Sequence, residues 1–358
     1  MFVKKLNIVN FKNHAEREFR FGNKINRFVG SNGVGKTNVL DALYYLSFSK
    51  SFINAADIQN IRLGEEFFSL RGVYDVDGVE EEILLSFHKT KGKTLKRNDK
   101  AYERISAHIG LLPLVISSPQ DISLIFDGSA ERRKFLDSAL SQFDVTHLAA
   151  LQNYNRALMQ RNKFLKTCNG TADPILVEMW DRQLIQNGEI LYANRKKFVA
   201  DFEGEFQKYY ALVSSGCEVP TLTYSSQLDD DSISNLLKNS LQRDQILQHT
   251  TCGVHKDDLI FEVGGLPLKN CGSQGQQKTF LTALKLAQFS FLARVGKKPV
   301  LLLDDIFDKL DPARVNAILE IVLKDSTFGQ IFITHTSPDD LEQMLQAAAE
   351  GEYEMFRL

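Results

Sequence analysis

Gly30-Ser31-Asn32-Gly33-Val34-Gly35-Lys36-Thr37 is the stretch that decides the fold. It matches G-x-x-x-x-G-K-[ST], the phosphate loop. Gly30, Gly33 and Gly35 supply backbone angles that let amide N–H groups curl around an anion. A helix opening at Lys36 aims its positive end at the same point. Lys36 is placed to reach the β and γ oxygens of a nucleoside triphosphate, and the Thr37 hydroxyl to ligate Mg²⁺, while Ser31, Asn32, Val34 and Asn38 line the cradle. The flanks agree with this reading. Ile25 to Val29 is a short apolar strand, and Val39, Leu40, Leu43 and Leu46 form the inward stripe of a helix running to Phe48. A chance glycine-rich turn would have neither flank.

On the N-terminal side, Val3, Leu6, Ile8 and Phe11 fit a partly buried strand with one irregularity, and Phe19 and Phe21 share a face. Beyond the first helix, Phe68, Leu70, Val73 and then Ile83, Leu85, Phe87 alternate around Asp77-Gly78, a hairpin turn signal. A basic run follows from Lys89 to Arg104, then a short strand ending at Val115-Ile116. From Ser129 to Leu247 the apolar spacing becomes helical, as Leu136, Leu140, Leu151, Leu158 and Leu165 show, with breaks near Asn169-Gly170 and Ser214-Ser215-Gly216. After Thr250 strands and helices alternate again: Leu259–Val263, Gln276–Arg294, Val300–Asp304, Arg314–Lys324, Gln330–Thr334, and a final helix from Pro338 to Ala348. The expected class is α/β, with a largely parallel sheet in a mixed-sheet nucleotide head. That head is split between residues 1–125 and 250–358, with a helical arm at 126–249 inserted.

Four further positions carry chemistry. Val300-Leu301-Leu302-Leu303 is a buried strand that delivers Asp304 and Asp305 to its C-terminal edge, where open α/β sheets bind ligands. Asp304 is read as the Mg²⁺ carboxylate, and Asp305 as the base that orients and deprotonates the attacking water. Ser273-Gln274-Gly275-Gln276-Gln277 opens a long helix and resembles the ABC signature: a hydroxyl, a glycine amide and a helix dipole make a second anion site. With one phosphate loop already in cis, Ser273, Gly275 and Gln276 make sense as a γ-phosphate contact from a partner copy, giving two nucleotides at one two-fold interface. An ordinary N-cap serine accounts for the same local pattern. Asp308-Lys309-Leu310-Asp311 stands where ABC proteins carry their D-loop. Asp311-Pro312 also reads as a helix cap followed by a first-turn proline. His335 follows an apolar strand, as the switch histidine does, and Gln120 follows Val115-Ile116 at the position of the glutamine that contacts metal and water.

Composition excludes other classes. A formal net charge of -2 rules out a generally basic nucleic-acid binder, so any DNA contact comes from a local patch. Cys168, Cys217, Cys252 and Cys271 fit no zinc spacing and read as reduced thiols of a cytosolic protein. No signal peptide is expected at the N-terminus, and no apolar run approaches the roughly 18 residues that a membrane span needs.

Several segments together resemble the RecF recombination and repair family, a compact relative of the SMC-type ABC ATPases. They are Phe11-Lys12-Asn13; Ser118-Pro119-Gln120-Asp121 leading to Arg132-Arg133-Lys134-Phe135-Leu136-Asp137; Tyr154-Asn155-Arg156-Ala157-Leu158 leading to Gln160-Arg161-Asn162; Gly253-Val254-His255-Lys256-Asp257-Asp258-Leu259; and Ser273-Gln274-Gly275-Gln276-Gln277-Lys278. The resemblance implies an ATP-dependent homodimer, and Asp305, one methylene shorter than the Glu that transport ATPases place there, leads to the expectation of slow, DNA-stimulated hydrolysis. The resemblance also implies binding to duplex DNA, single-strand gaps and junctions, and recombinase loading with RecR and RecO in a cytoplasmic, nucleoid-associated setting. One departure is Lys50-Ser51-Phe52, where many relatives carry an arginine-containing segment.

The densest positive run is Lys89, Lys91, Lys93, Lys96, Arg97 and Lys100; Arg132, Arg133 and Lys134 stand at the start of the arm, and Arg156, Arg161 and Lys163 follow on later turns. All three groups are candidates for salt-dependent backbone contacts, although Arg132 and Arg133 could instead pair with Asp137 or Asp257-Asp258. A transporter cassette would carry LSGGQ and lack the insert. A full SMC protein would need coiled coils of hundreds of residues, whereas 235 residues lie between Thr37 and Ser273. A scaffold that binds ATP and hardly hydrolyses it stays open beside the hydrolytic switch.

Overall fold

The structure is a computed structural model that describes residues 1–168, 173–214, 216, 218–306, 311–336 and 353–358. Along the chain come β1 (Phe2–Phe11), β2 (His14–Arg20), β3 (Ile25–Val29), α1 (Lys36–Phe48), β4 (Phe67–Val76), β5 (Val79–His88), β6 (Gly92–Arg97), β7 (Lys100–Ala101) and β8 (Leu114–Ser117). Next are the one-turn α2 (Ser123–Phe126), α3 (Ser129–Ser141), α4 (Val145–Thr167), α5 (Pro174–Ser214), β9 (Pro220–Ser225) and α6 (Ile233–Leu247). Last are β10 (Asp258–Val263), β11 (Leu266–Pro267), the one-turn α7 (Leu268–Cys271), α8 (Gln274–Arg294), β12 (Val300–Asp304), α9 (Pro312–Lys324), β13 (Ile331–His335) and β14 (Tyr353–Arg357). These divide into two compact units. One holds Met1–Asp121, Leu212–Ser215 and Lys278–Leu358; the other holds Ile122–Ala211 and Gly216–Gln277.

The first unit has two sheets. The five-stranded one has the order β14-β3-β13-β12-β8, and every pairing in it is parallel. The six-stranded one, β2-β1-β4-β5-β6-β7, is antiparallel throughout. The expected mixed character is thus divided between two sheets. Strand β1 buries Val3, Leu6, Ile8 and Phe11, and its irregularity is a register shift between Val3 and Lys5. Asp77 and Gly78 both take positive φ, 55° and 87°, in a two-residue turn whose twist matches the flanking strands. Helix α1 packs Val39, Leu40, Leu43 and Leu46 into a core shared with Leu6, Ile8 and Phe68 of the antiparallel sheet and with Leu302 and Phe332 of the parallel one. Strand β14, which the sequence reading did not foresee, adds to the outer side of β3.

The second unit corrects the reading of an all-helical arm. Beside α3, α4, α5 and α6 it contains a three-stranded antiparallel sheet, β11-β10-β9. The alternation Thr221-Leu222-Thr223-Tyr224 was its signal, with Pro220 at the strand's first position, where a missing N–H is tolerated. For the same reason, Leu259–Val263 does not rejoin the nucleotide sheet. Its strand β10 pairs along its length with β9, and buried Asp257 bonds Arg195, Tyr224 and Ser226. The expected return at residue 250 therefore falls at Gln277/Lys278, within α8. Pro338–Ala348 lies outside the described residues.

Candidate nucleotide site

Because the five-stranded sheet is parallel, the C-terminal ends of its strands share one edge. Register places Asp304 beside Thr334, and His335 beside Val29, the last residue before the glycine loop. The loop after β3, the acidic pair after β12, His335 at the end of β13 and Gln120 just past β8 all stand at this edge. Gln120 is exposed there, on a single helical turn from Pro119 to Ile122.

The loop is built for close backbone approach. Gly30, Gly33 and Gly35 take φ of 155°, 83° and 109°, a region that side-chain-bearing residues rarely adopt. Gly35 has a second constraint: a Cβ there would lie 2.5 Å from Asn13 Nδ2 and 2.7 Å from His14 Nε2. The Lys36 side chain is buried and donates to the Gly30 carbonyl at 2.7 Å and the Ser31 carbonyl at 3.1 Å. It is thus folded along the loop that it serves.

Thr37 Oγ1 donates to Asp304 Oδ1 at 2.9 Å, and Thr334 Oγ1 donates to the same oxygen at 2.9 Å. Burial pushes the Asp304 carboxyl above the usual carboxylate range, against the pull of these two hydroxyls. A hydroxyl and a desolvated carboxylate side by side are a hard-oxygen pair suited to Mg²⁺. Asp305 has a φ of 49°, unusual outside glycine, and its backbone N–H donates to Thr334 Oγ1 at 2.9 Å. One threonine hydroxyl therefore holds both aspartates, donating to the first and accepting from the second.

Sequence reasoning missed Thr334, Asn13 and His14. Asn13 donates to the Val34 carbonyl at 2.8 Å and accepts from the Asn38 side chain at 2.8 Å. His14 Nε2 lies 3.1 Å from the Gly35 carbonyl, which can only accept, so Nε2 carries the proton. Burial lowers the His14 pKa, which keeps the ring neutral. Beside them, Lys12 Nζ lies 2.5 Å from the buried Asp41 of α1, and Asp41 also accepts from Ser51 Oγ at 2.6 Å and Phe52 N at 2.9 Å. The departure at Lys50-Ser51-Phe52 is thus anchored on the phosphate-loop helix. The signal available was Phe11-Lys12-Asn13 itself, which marks a turn two strands before the loop in sequence and beneath it in space.

In the second unit, Ser273 is exposed at the N-cap of α8. Its Oγ accepts from Gln276 N at 3.2 Å, and its N–H donates to Gln276 Oε1 at 2.7 Å. This is the reciprocal capping box, with Gln at the third helical position. Gln276 is read differently as a result. Its side chain is occupied by Ser273 and by Glu218, at 2.6 Å from Nε2, rather than turned outward to a nucleotide. Asp311 caps α9 through Arg314 N at 3.0 Å, and Asp308-Lys309-Leu310 lie outside the described residues.

The basic candidates sort by what they are paired with. Lys93 bonds the Ser49 carbonyl at 2.6 Å and Asp57 at 2.9 Å, with its side chain 17% exposed. Arg97 makes a two-pronged pair with Glu81 at 2.8 and 2.5 Å. Arg132 pairs with Asp258 at 2.7 and 2.9 Å, and Arg133 donates to the Asp257 carbonyl at 2.5 Å and Ser129 Oγ at 2.7 Å. These four serve internal structure, because a carboxylate or carbonyl packed beneath them outcompetes solvent. Lys89 holds only the exposed Glu66, at 3.0 Å, a pair of little energetic weight. Lys91 is exposed and Lys96 half-buried. No helix among the described residues is long and apolar enough to cross a membrane.

Comparison with known proteins gives the family. The family model described as "AAA domain, putative AbiEii toxin, Type IV TA system" matches residues 25–335. "DNA replication and repair protein RecF" of Parabacteroides distasonis is 47% identical over 100% of this chain and 97% of its own length. The protein of the same name from Flavobacterium johnsoniae is 45% identical over 100% of both chains. The solved structure of "the recombination mediator protein RecF-ATPrS in RecFOR pathway" superposes with a TM-score of 0.88 at 29% identity, covering 100% of this chain and 96% of that one. An Smc head domain from Pyrococcus furiosus shares the fold at a TM-score of 0.58 and 17% identity, covering 98% and 92%. With an ABC-type ATPase head assembled around its phosphate loop and relatives matched end to end, the chain belongs to the RecF family.

Proposed function

We propose that the chain is a DNA-repair ATPase that uses Mg-ATP to close two copies face to face on DNA. The observation that carries this reading is the 2.9 Å bond between Thr37 and Asp304, at the mouth of a loop already shaped for phosphates. In the proposed cycle the loop amides and Lys36 bind and orient the triphosphate. Thr37 and Asp304 would hold Mg²⁺, with Gln120 beside it. The ion, when bound, neutralises charge on the β and γ oxygens. Asp305 orients a water and takes its proton, and His335 faces the terminal phosphate. Ser273 and the first amides of α8, from the partner copy, complete the γ-phosphate site.

Aspartate is one methylene shorter than the glutamate that transport ATPases place after their metal carboxylate, so hydrolysis is slow and the nucleotide acts as a timer. Duplex or gapped DNA is the partner, with Lys89, Lys91 and Lys96 as its backbone contacts. The proposed task is loading of recombinase at single-strand gaps and stalled forks together with RecR and RecO, a reading that membership of the RecF family supports. Sedimentation with and without ATP tests the switch. Asp305→Asn should give an ATP-bound dimer that persists where the wild-type dimer decays. Dimers of equal lifetime would reject the hydrolytic role of Asp305. Ser273→Arg should abolish ATP-driven association, and its retention would reject the shared site.

A further inference from the structure

Ser273 can contact an outside phosphate only if its hydroxyl proton points away from its own helix. The capping box arranges this: Oγ spends a lone pair on Gln276 N, which leaves the O–H free to donate. The first amides of α8 have no intrahelical acceptor and face the same way. Everything then depends on where the Gln276 side chain sits, because its Oε1 fixes Ser273 N at 2.7 Å. That side chain does not hold itself. Its Nε2 donates to Glu218 Oε1 at 2.6 Å, and the other oxygen of Glu218 accepts from Tyr210 Oη at 3.1 Å. Tyr210 is fully buried near the end of α5, the 41-residue arm helix, so this end of the relay is fixed by packing.

We infer that Glu218 is a positioning residue for the signature segment, tying Ser273 and the start of α8 to the arm helix through the relay Tyr210–Glu218–Gln276–Ser273. This rests on the reading of Ser273 as a contact to the partner's nucleotide. Glu218 touches no nucleotide itself. It sets the aim of a group that does, so its loss falls on ATP-driven pairing and leaves cis nucleotide binding intact. A hydrogen bond of this kind is worth about a tenfold change. The dimer contains two such sites, so the association constant is expected to fall by about a hundredfold.

The test compares Glu218→Ala, Glu218→Gln and Tyr210→Phe in the full-length chain. Three readouts are used: binding of a fluorescent ATP analogue to the monomer, sedimentation with Mg-ATP, and hydrogen exchange at residues 273–277. Glu218→Ala should bind the analogue as wild type does, associate about a hundredfold more weakly, and lose protection at Ser273 and Gln276. Glu218→Gln keeps an acceptor for Gln276 and should restore association, which separates hydrogen bonding from charge. Tyr210→Phe should fall between them. Wild-type association or unchanged exchange in Glu218→Ala would overturn the proposal, as would equal damage from Ala and Gln or a matching loss of analogue binding. If Ser273→Arg also associated normally while exchange responded as expected, the shared-site reading would fail and the relay would stand as a structural one.

Discussion

At the edge of the parallel sheet, Lys36 and Asp304 are buried and Thr37 half-buried, and Lys36 is held by two neutral carbonyls of its own loop rather than by a carboxylate. In the arm, Arg195 is buried and closed on all sides: it pairs with Asp137 at 2.9 Å and Asp257 at 3.1 Å and donates to the Val254 carbonyl at 2.8 Å. Arg161 is likewise buried against Asp181, Asp244 and Thr250 at 2.7–2.8 Å through Nε and Nη1, while its Nη2 has no hydrogen-bond partner among the described residues. Both regions are dense in charge and both carry segments that mark the family. One keeps its capacity for a ligand; the other consumes it to define the arm. A family motif is therefore not by itself evidence of a ligand contact. Gly253-Val254-His255-Lys256-Asp257-Asp258-Leu259 is a knot. His255 bonds Tyr154 Oη at 2.8 Å, Asp257 meets Arg195, and a Cβ on Gly253 would come within 2.7 Å of Tyr154 Oη.

The largest expected effect would break this contrast. Arg195→Met leaves Asp137 and Asp257 buried without their cation, at a cost of about 3–5 kcal/mol, read by urea unfolding. A change under about 1 kcal/mol would mean the network does not hold the arm together. Next comes His255, whose pKa burial lowers from 6.5 to about 4. The unfolded histidine takes its proton near pH 6.5 and the folded one only near pH 4. Between those values the unfolded chain binds more protons, and stability falls as pH falls, by roughly 3 kcal/mol in all. His255→Asn should flatten that part of the stability–pH curve, and an unchanged slope would assign the acid sensitivity elsewhere.

The nucleotide edge predicts the opposite pairing of effects. Lys36→Ala should weaken ATP binding roughly 10–100-fold, through lost charge-assisted bonds, while moving unfolding free energy by less than about 1 kcal/mol. A large stability loss would erase the distinction between the regions. A smaller effect sharpens it within the site. Thr334→Val removes the hydroxyl shared by both aspartates and should lower kcat about tenfold with little change in nucleotide affinity, while Thr334→Ser should restore it. The smallest concerns DNA. Changing Lys91 and Lys96 to Ala should reduce the slope of log K against log salt by about 2, whereas Lys93→Ala should leave the slope alone and lower stability instead.

The nucleotide half was legible because its chemistry is local. Gly30 to Thr37 specifies loop and helix start within eight residues, and Val300 to Asp305 specifies a buried strand with carboxylates at its end. The arm was legible only as helices. The strand at Pro220–Ser225 is six residues long, and its partner β10 lies more than thirty residues further along the chain, so nothing local announces the pairing. Basic residues misled for a related reason. Lys93 and Lys91 look alike in sequence, and only packing places Asp57 and the Ser49 carbonyl under one of them.

By itself the sequence determined a phosphate loop, an acidic strand end, a serine-led helix start and the family, since each depends on neighbours a few bonds away. Tertiary structure decided which charges remain available. It placed Thr334 between two aspartates, folded His255 and Asp257 into a closed core, and set Gln276 against Glu218. Those outcomes depend on groups tens to hundreds of residues apart, and burial multiplies the energy of every such meeting by removing the water that would otherwise compete for it.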